Sequence, residues 1–110
     1  MITKHLLSRG FKVFAPGAHK GSCTEPYVVV KKLADSRYLE YSSTITYYDV
    51  LCYGRTFSEC EYFTEKVKES MKGLTFTVMP TYDITEAFFD EDVGAYMKSI
   101  TYRNYKKITT

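Results

Sequence analysis

Two side chains with catalytic potential lie close together in a segment, residues 17–26, that glycines and a proline mark as a loop. They are His19 and Cys23. A cysteine nucleophile needs a general base held against it and a third group that orients the base. The segment supplies no such third group, and its glycines lack the spacing of a phosphate-binding loop that opens a helix. We therefore predict no catalytic residue in this loop.

The cysteines as a set give no metal or redox signature. Cys23, Cys52 and Cys60 are odd in number and show no CxxC spacing. Cys52 falls in a strand pattern and Cys60 on the apolar stripe of a helix pattern, where a free cysteine acts as a small hydrophobe. We expect both to be buried, with no zinc site.

A third group with chemical potential is acidic. Residues 81–92 carry five carboxylates and no lysine or arginine. Such oxygens suit a hard divalent cation, but the spacing is not that of a calcium-binding EF-hand loop. We interpret the segment as a solvated loop, and we predict neither a metal nor another cofactor. The five acids are Asp83, Glu86, Asp90, Glu91 and Asp92.

The composition is that of a globular protein. The chain has 110 residues, 45% hydrophobic and 25% charged, which fits a single domain over residues 1–110. No run of about 18 apolar residues occurs, so we predict no membrane span. The N-terminus lacks the pattern of a signal peptide, so we expect synthesis in the cytoplasm. A net charge of +2 gives no argument for binding nucleic acid.

One long helix is predicted over residues 58–73, and the other elements are arranged around it. Ser58 is the predicted N-cap, with Glu61 completing a capping box, and Gly73 is the predicted C′ residue. The spacing i, i+3, i+4, i+7, i+11 forms one apolar stripe that should face a sheet. The stripe consists of Cys60, Phe63, Thr64, Val67 and Met71.

The remaining pattern predicts strands and one further helix. Residues 2–8 form a short helical pattern that Gly10 can end, and residues 34–42 are polar and turn-like. The segment 43–53 is apolar on both faces, which is typical of a central strand. The predicted fold is α+β: a mixed or antiparallel sheet of about four strands packed against one long helix, with a short N-terminal helix. The predicted strands are residues 27–33, 43–53, 76–80 and 93–105.

Charge is distributed unevenly along the chain. Residues 1–37 carry seven lysines or arginines against two acids, whereas residues 81–92 carry acids alone. In a self-assembling protein, such asymmetry can align the basic side of one subunit with the acidic side of the next. Phe88 and Phe89 could anchor this contact, or they could fold back onto their own core. The candidate interface therefore combines Asp83, Glu86, Phe88, Phe89, Asp90, Glu91 and Asp92 with Lys12, Lys20, Lys31 and Lys32.

Three stretches, residues 17–31, 47–53 and 97–105, together with the helix and the acidic segment, resemble the tail-terminator or tail-completion proteins of Gram-positive siphophages and prophages. The resemblance implies a mixed sheet flanked by helices and a structural role without catalysis. It implies a homo-hexameric ring at the head-proximal end of the tail tube, with the tail tube protein and the head–tail connector protein as partners. The expected location is the neck of the virion, after assembly in the host cytoplasm.

Other functions stay open at this point. A head–tail connector or head-completion adaptor is a close alternative. A nucleic-acid-binding module could use tyrosines as stacking platforms beside basic residues, although the near-neutral charge and the acidic segment disfavour a specific nucleic-acid partner. An enzyme is disfavoured because no acid–base pair, nucleophile or metal cluster is evident. The stacking candidates are Tyr27, Tyr47, Tyr48 and Tyr102, beside Lys31, Lys32 and Arg103.

Overall fold

The fold is described by a computed structural model that covers residues 2–19, 21, 23–38, 43–74 and 78–107. Two helices and a mixed sheet make an α+β fold, as predicted. In chain order the elements are α1 (Ile2–Ser8), β1 (Val13–Phe14), β2 (Tyr27–Tyr38), β3 (Ser43–Gly54), α2 (Phe57–Met71), a 3-10 turn (Lys72–Leu74), β4 (Val78–Ile84), β5 (Phe88–Asp90) and β6 (Ala95–Lys107).

The sheet has six strands among the described residues, rather than about four. Its order is β1-β2-β3-β6-β4, and β5 pairs with β6 beside β4. β1 runs parallel to β2, and the other neighbours are antiparallel. β3 lies between β2 and β6, which confirms the prediction of a central strand. The two additional strands are short pieces, β1 and β5, that pair along the edges of long ones.

The prediction of a turn over the polar residues 34–42 is partly wrong. β2 continues to Tyr38, and its residues from Ala34 onward pair with β3 after a shift in register that follows Lys32. A strand pairs through its backbone, so the long neighbour β3 can extend β2 through residues whose side chains do not favour a strand. Residues 39–42 lie outside the described part of the chain.

The long helix starts two residues earlier than predicted. Its N-cap is Thr56, whose hydroxyl accepts the backbone N–H of Glu59 at 3.1 Å, and the predicted cap Ser58 lies inside the first turn. Both segments have an acid three residues after a hydroxyl, so the sequence pattern fits either cap. The Glu59 carboxylate also accepts the backbone N–H of Arg55 at 3.0 Å, which ties the incoming chain to the helix.

The end of the long helix agrees with the prediction in position but not in conformation. Lys72 is the C-cap and Gly73 the C′ residue, but Gly73 has no positive φ, and a 3-10 turn, Lys72–Leu74, continues the chain. The N–H of Lys72 donates to the backbone carbonyls of both Glu69 and Ser70, so two terminal acceptors are satisfied without a left-handed glycine. The apolar stripe is confirmed: four of its members are buried, and Phe63 is half-buried against the same core.

Helix α1 has the predicted bounds. Ile2 and Leu6 are buried on the core side, and Gly10, at φ +88°, lets the chain reverse so that the N–H of Phe11 reaches the carbonyl of Leu6 at 3.1 Å. His5 Nε2 donates to the carbonyl of Ser70 at 2.7 Å. A two-turn helix is marginal alone, and this hydrogen bond holds it against the end of α2.

The main core lies on one face of the sheet, which we call the helix face. It joins side chains of both helices to alternate residues of β2, β3 and β6. A smaller cluster, on what we call the open face, is covered by loop residues around Phe14 and Cys23 and by Val93. The buried residues of the main core are Ile2, Leu6, Val28, Val50, Cys52, Val67, Met71, Ile100 and Tyr102, and those of the smaller cluster are Tyr27, Tyr53 and Ala95.

Candidate interaction surface

The acidic segment is strand over residues 81–84 and 88–90, so its prediction as a loop is partly wrong and holds only for residues 85–87 and 91–92. β4 runs through Ile84, and β5 begins at Phe88, both beside β6. Between them the Thr85 N–H donates to the carbonyl of Ser99 at 3.1 Å, and the Thr85 hydroxyl accepts the Ser99 N–H at 2.9 Å. The long strand β6 therefore organises a segment whose own sequence lacks strand periodicity. The backbone of Asp83 lies in β4, and the structure does not describe the side chain of Asp83.

The two phenylalanines of β5 remain exposed. Phe88 is 47% exposed and Phe89 is 50% exposed. Phe88 pairs in register with Met97 and Phe89 with Tyr96. Because successive side chains of a strand point to opposite faces, Phe88 lies on the open face and Phe89 on the helix face. The sequence allowed two positions for these rings, anchoring a contact with another subunit or packing onto their own core. The structure lies between the two, because each ring contacts its own subunit and about half of it stays in solvent.

Phe89 belongs to a group of three aromatic rings, two exposed and one half-buried, that the sequence analysis did not identify. Its ring centroid lies 5.3 Å from that of Tyr96, and Tyr96 lies 6.0 Å from Phe57, which is 52% exposed. Phe57 is the first residue of α2, so three elements contribute one ring each. We call Phe57, Phe89 and Tyr96 the aromatic edge. Beside it, Lys98 Nζ contacts the Glu61 carboxylate at 2.9 Å and links β6 to α2.

The acids after β5 form a tight turn. The Asp90 carboxylate accepts the N–H of Asp92 at 3.0 Å, and its backbone carbonyl accepts the N–H of Gly94 at 2.8 Å. Gly94 has φ +72°, a conformation that glycine adopts without strain. Asp90 is half-buried, whereas Glu91 and Asp92 face solvent, as does Glu86 before β5. The turn therefore carries exposed negative charge beside Phe88 and Phe89.

The candidate basic residues do not form one patch. Lys31 and Lys32 are exposed neighbours in β2, so they lie on opposite faces of the sheet. Lys12 is exposed, with its Nζ 3.9 Å from the Glu25 carboxylate, and Lys20 lies outside the described residues. The structure does bring Lys31 and Asp92 to one groove.

That groove lies on the open face, and we call it the open groove. Its volume is about 350 Å³, with strands β2 and β3 as the floor, and the loop after β1 and the turn after β5 as walls. Three rings stack along it: His19 lies 3.9 Å from Tyr27, and Tyr27 lies 4.7 Å from Tyr53, each pair within 9° of parallel. Burial, the neighbouring Tyr53 and Cys23, and the charge of Asp90 raise the pKa of Tyr27 to about 12.

The two loop residues with catalytic potential have structural contacts. Cys23 donates to the carbonyl of Glu25 at 3.3 Å, and burial raises the pKa of its thiol, which disfavours the reactive thiolate. His19 packs against Phe14 and Tyr27. Within the described ranges, no three His, Cys, Asp or Glu side chains lie close enough together to hold a metal ion.

Two of the four proposed stacking platforms are buried. Tyr27 is 3% exposed and Tyr102 is 4% exposed. The two faces of the Tyr27 ring are taken by His19 and Tyr53, and Tyr102 lies in the core under the helices. A base needs an accessible ring face to stack, so these two residues cannot serve a nucleic-acid site.

No model of a known protein family matches this sequence, and no curated protein matches it either. In the part of the chain that is described, neither helix has the length and apolar character needed to cross a bilayer. A functional proposal therefore depends on the surfaces described above and on the resemblance of the three sequence stretches.

Proposed function

We propose that this protein is a siphophage tail terminator: a structural subunit that forms a ring at the head-proximal end of the tail tube and joins the tail to the head connector. Its location would be the neck of the virion. Support comes from the resemblance of residues 17–31, 47–53 and 97–105, and the α+β fold agrees with what that resemblance implies. A head-completion adaptor would use similar contacts with a different partner.

The observation that carries the proposal is the exposed pair Phe88 and Phe89 at an edge of the sheet. An isolated exposed phenylalanine needs no explanation, but adjacent aromatic rings framed by charge are typical of the apolar centre of a protein interface. Glu91 and Asp92 would form the charged rim. We assign the ring contact to this edge.

A closed ring requires a heterologous contact, in which one patch of a subunit meets a different patch of the next. Phe88 and Phe89 lie on opposite faces of one edge, so the edge can be inserted between two surfaces of a neighbour. Of the candidate basic residues, Lys12 is exposed on another part of the subunit and would meet the acidic turn, whereas Lys31 and Lys32 lie on opposite faces of the sheet and do not form one patch with it.

The ring is tested with single alanine variants followed by analytical ultracentrifugation over a range of concentrations. Phe88→Ala and Phe89→Ala should each reduce assembly while circular dichroism shows a folded monomer, since truncation of a central aromatic commonly costs about 2 kcal/mol or more of association energy. Tyr62→Ala is the matched control, because Tyr62 is an exposed ring on the outer side of α2. If both phenylalanine variants assembled like the parent, the ring contact would not involve β5.

The charged rim is tested separately. Glu91→Lys should weaken assembly more at low salt than at high salt, because exposed charges are screened within about 10 Å at 0.1 M salt. Glu69→Lys, on the outer side of α2, serves as the control. An equal effect of the two substitutions would show that only net charge matters.

The terminator role has its own test. The tail tube protein of the same phage would be polymerised with and without the purified protein, and tube lengths measured by electron microscopy. A terminator should bind one end of each tube and stop its growth. Unaltered tubes would contradict that role and favour the adaptor.

A further inference from the structure

We draw no further inference here: the strongest candidate, the partly exposed aromatic edge of Phe57, Phe89 and Tyr96 where the start of α2 meets β5 and β6, carries none because nothing in the described structure shows what covers it.

Discussion

The two faces of the sheet are built by different means. On the helix face, α1 and α2 each bring an apolar stripe to alternate residues of the long strands, and the centre is closed to water. On the open face the layer above the strands is a loop and a turn, and it covers only the end that carries Tyr27 and Tyr53. A concave surface with mixed charge is left over.

This difference indicates where stability and recognition are located. A regular helix presents a continuous apolar stripe along one side, and this stripe covers the sheet face below it. A loop has no such stripe and leaves gaps. We therefore expect substitutions on the helix face to cost more stability than substitutions on the open face, as the following comparisons test.

The largest contrast should come from a matched pair of truncations. Ile100→Ala, on the helix face, should cost about 2–5 kcal/mol of unfolding free energy, because the side chain is fully buried. Leu51→Ala removes the same number of carbons from the half-buried open face and should cost clearly less. Urea denaturation of both variants measures the difference, and equal losses would mean that the open face is packed as densely as the other.

At Gly54 the sheet comes close to the backbone of the long helix. A Cβ at this position would lie 2.6 Å from the backbone nitrogen of Cys60 and 2.8 Å from its Cα. Gly54→Ala should therefore destabilise the protein by about 1–3 kcal/mol or more, as in other overpacked cores. In Gly73→Ala the nearest contact is the side chain of His5 rather than backbone, so thermal unfolding should show a smaller loss.

The two candidate caps of α2 can be separated. Thr56→Ala removes the hydroxyl that accepts the N–H of Glu59 and should cost about 1 kcal/mol. Ser58→Ala alters an exposed first-turn residue and should stay within about 0.5 kcal/mol of the parent. The opposite order of the two melting temperatures would restore Ser58 as the cap.

The ring stack of the open face should contribute modestly. His19→Ala deletes one ring from a stacked pair and should cost about 0.5–1.5 kcal/mol. Tyr62→Ala, which removes a mostly exposed ring from α2, gives the background for deleting a surface aromatic. Chemical denaturation that cannot distinguish the two variants would show that the stack adds nothing to stability.

The smallest expected effect is electrostatic. Hydrogen bonds from Arg55 lower the pKa of Glu59 to about 2, against about 4.3 for a free glutamate. Because the pKa is lower in the folded state, the stabilisation is complete above about pH 4.3 and is lost as the pH falls toward 2. Glu59→Gln should therefore differ from the parent at pH 7 but not at pH 2, by an amount that salt reduces because the pair is near the surface.

Local periodicity predicted most of the elements. The stripe of α2, the short helix α1 and the central position of β3 all follow from apolar spacing, which acts within a few residues. The polar end of β2, residues 81–84 of the strand predicted over 76–80, and the strand at 88–90 do not, because their backbone partners are far away in the sequence. For the candidate interface, Phe88, Phe89 and the acids were identified, whereas Phe57 and Tyr96 were missed because they join Phe89 only in three dimensions.

The sequence by itself determined the fold class, the buried face of each helix and the uneven distribution of charge, since these depend on residue type and short-range spacing. Tertiary structure decided which residues share a surface. It brought Lys31 and Asp92 to one groove and turned parts of an acidic segment into strands beside β6. The physical reason is that strand register, set by backbone pairing between distant segments, decides the face on which every side chain lies.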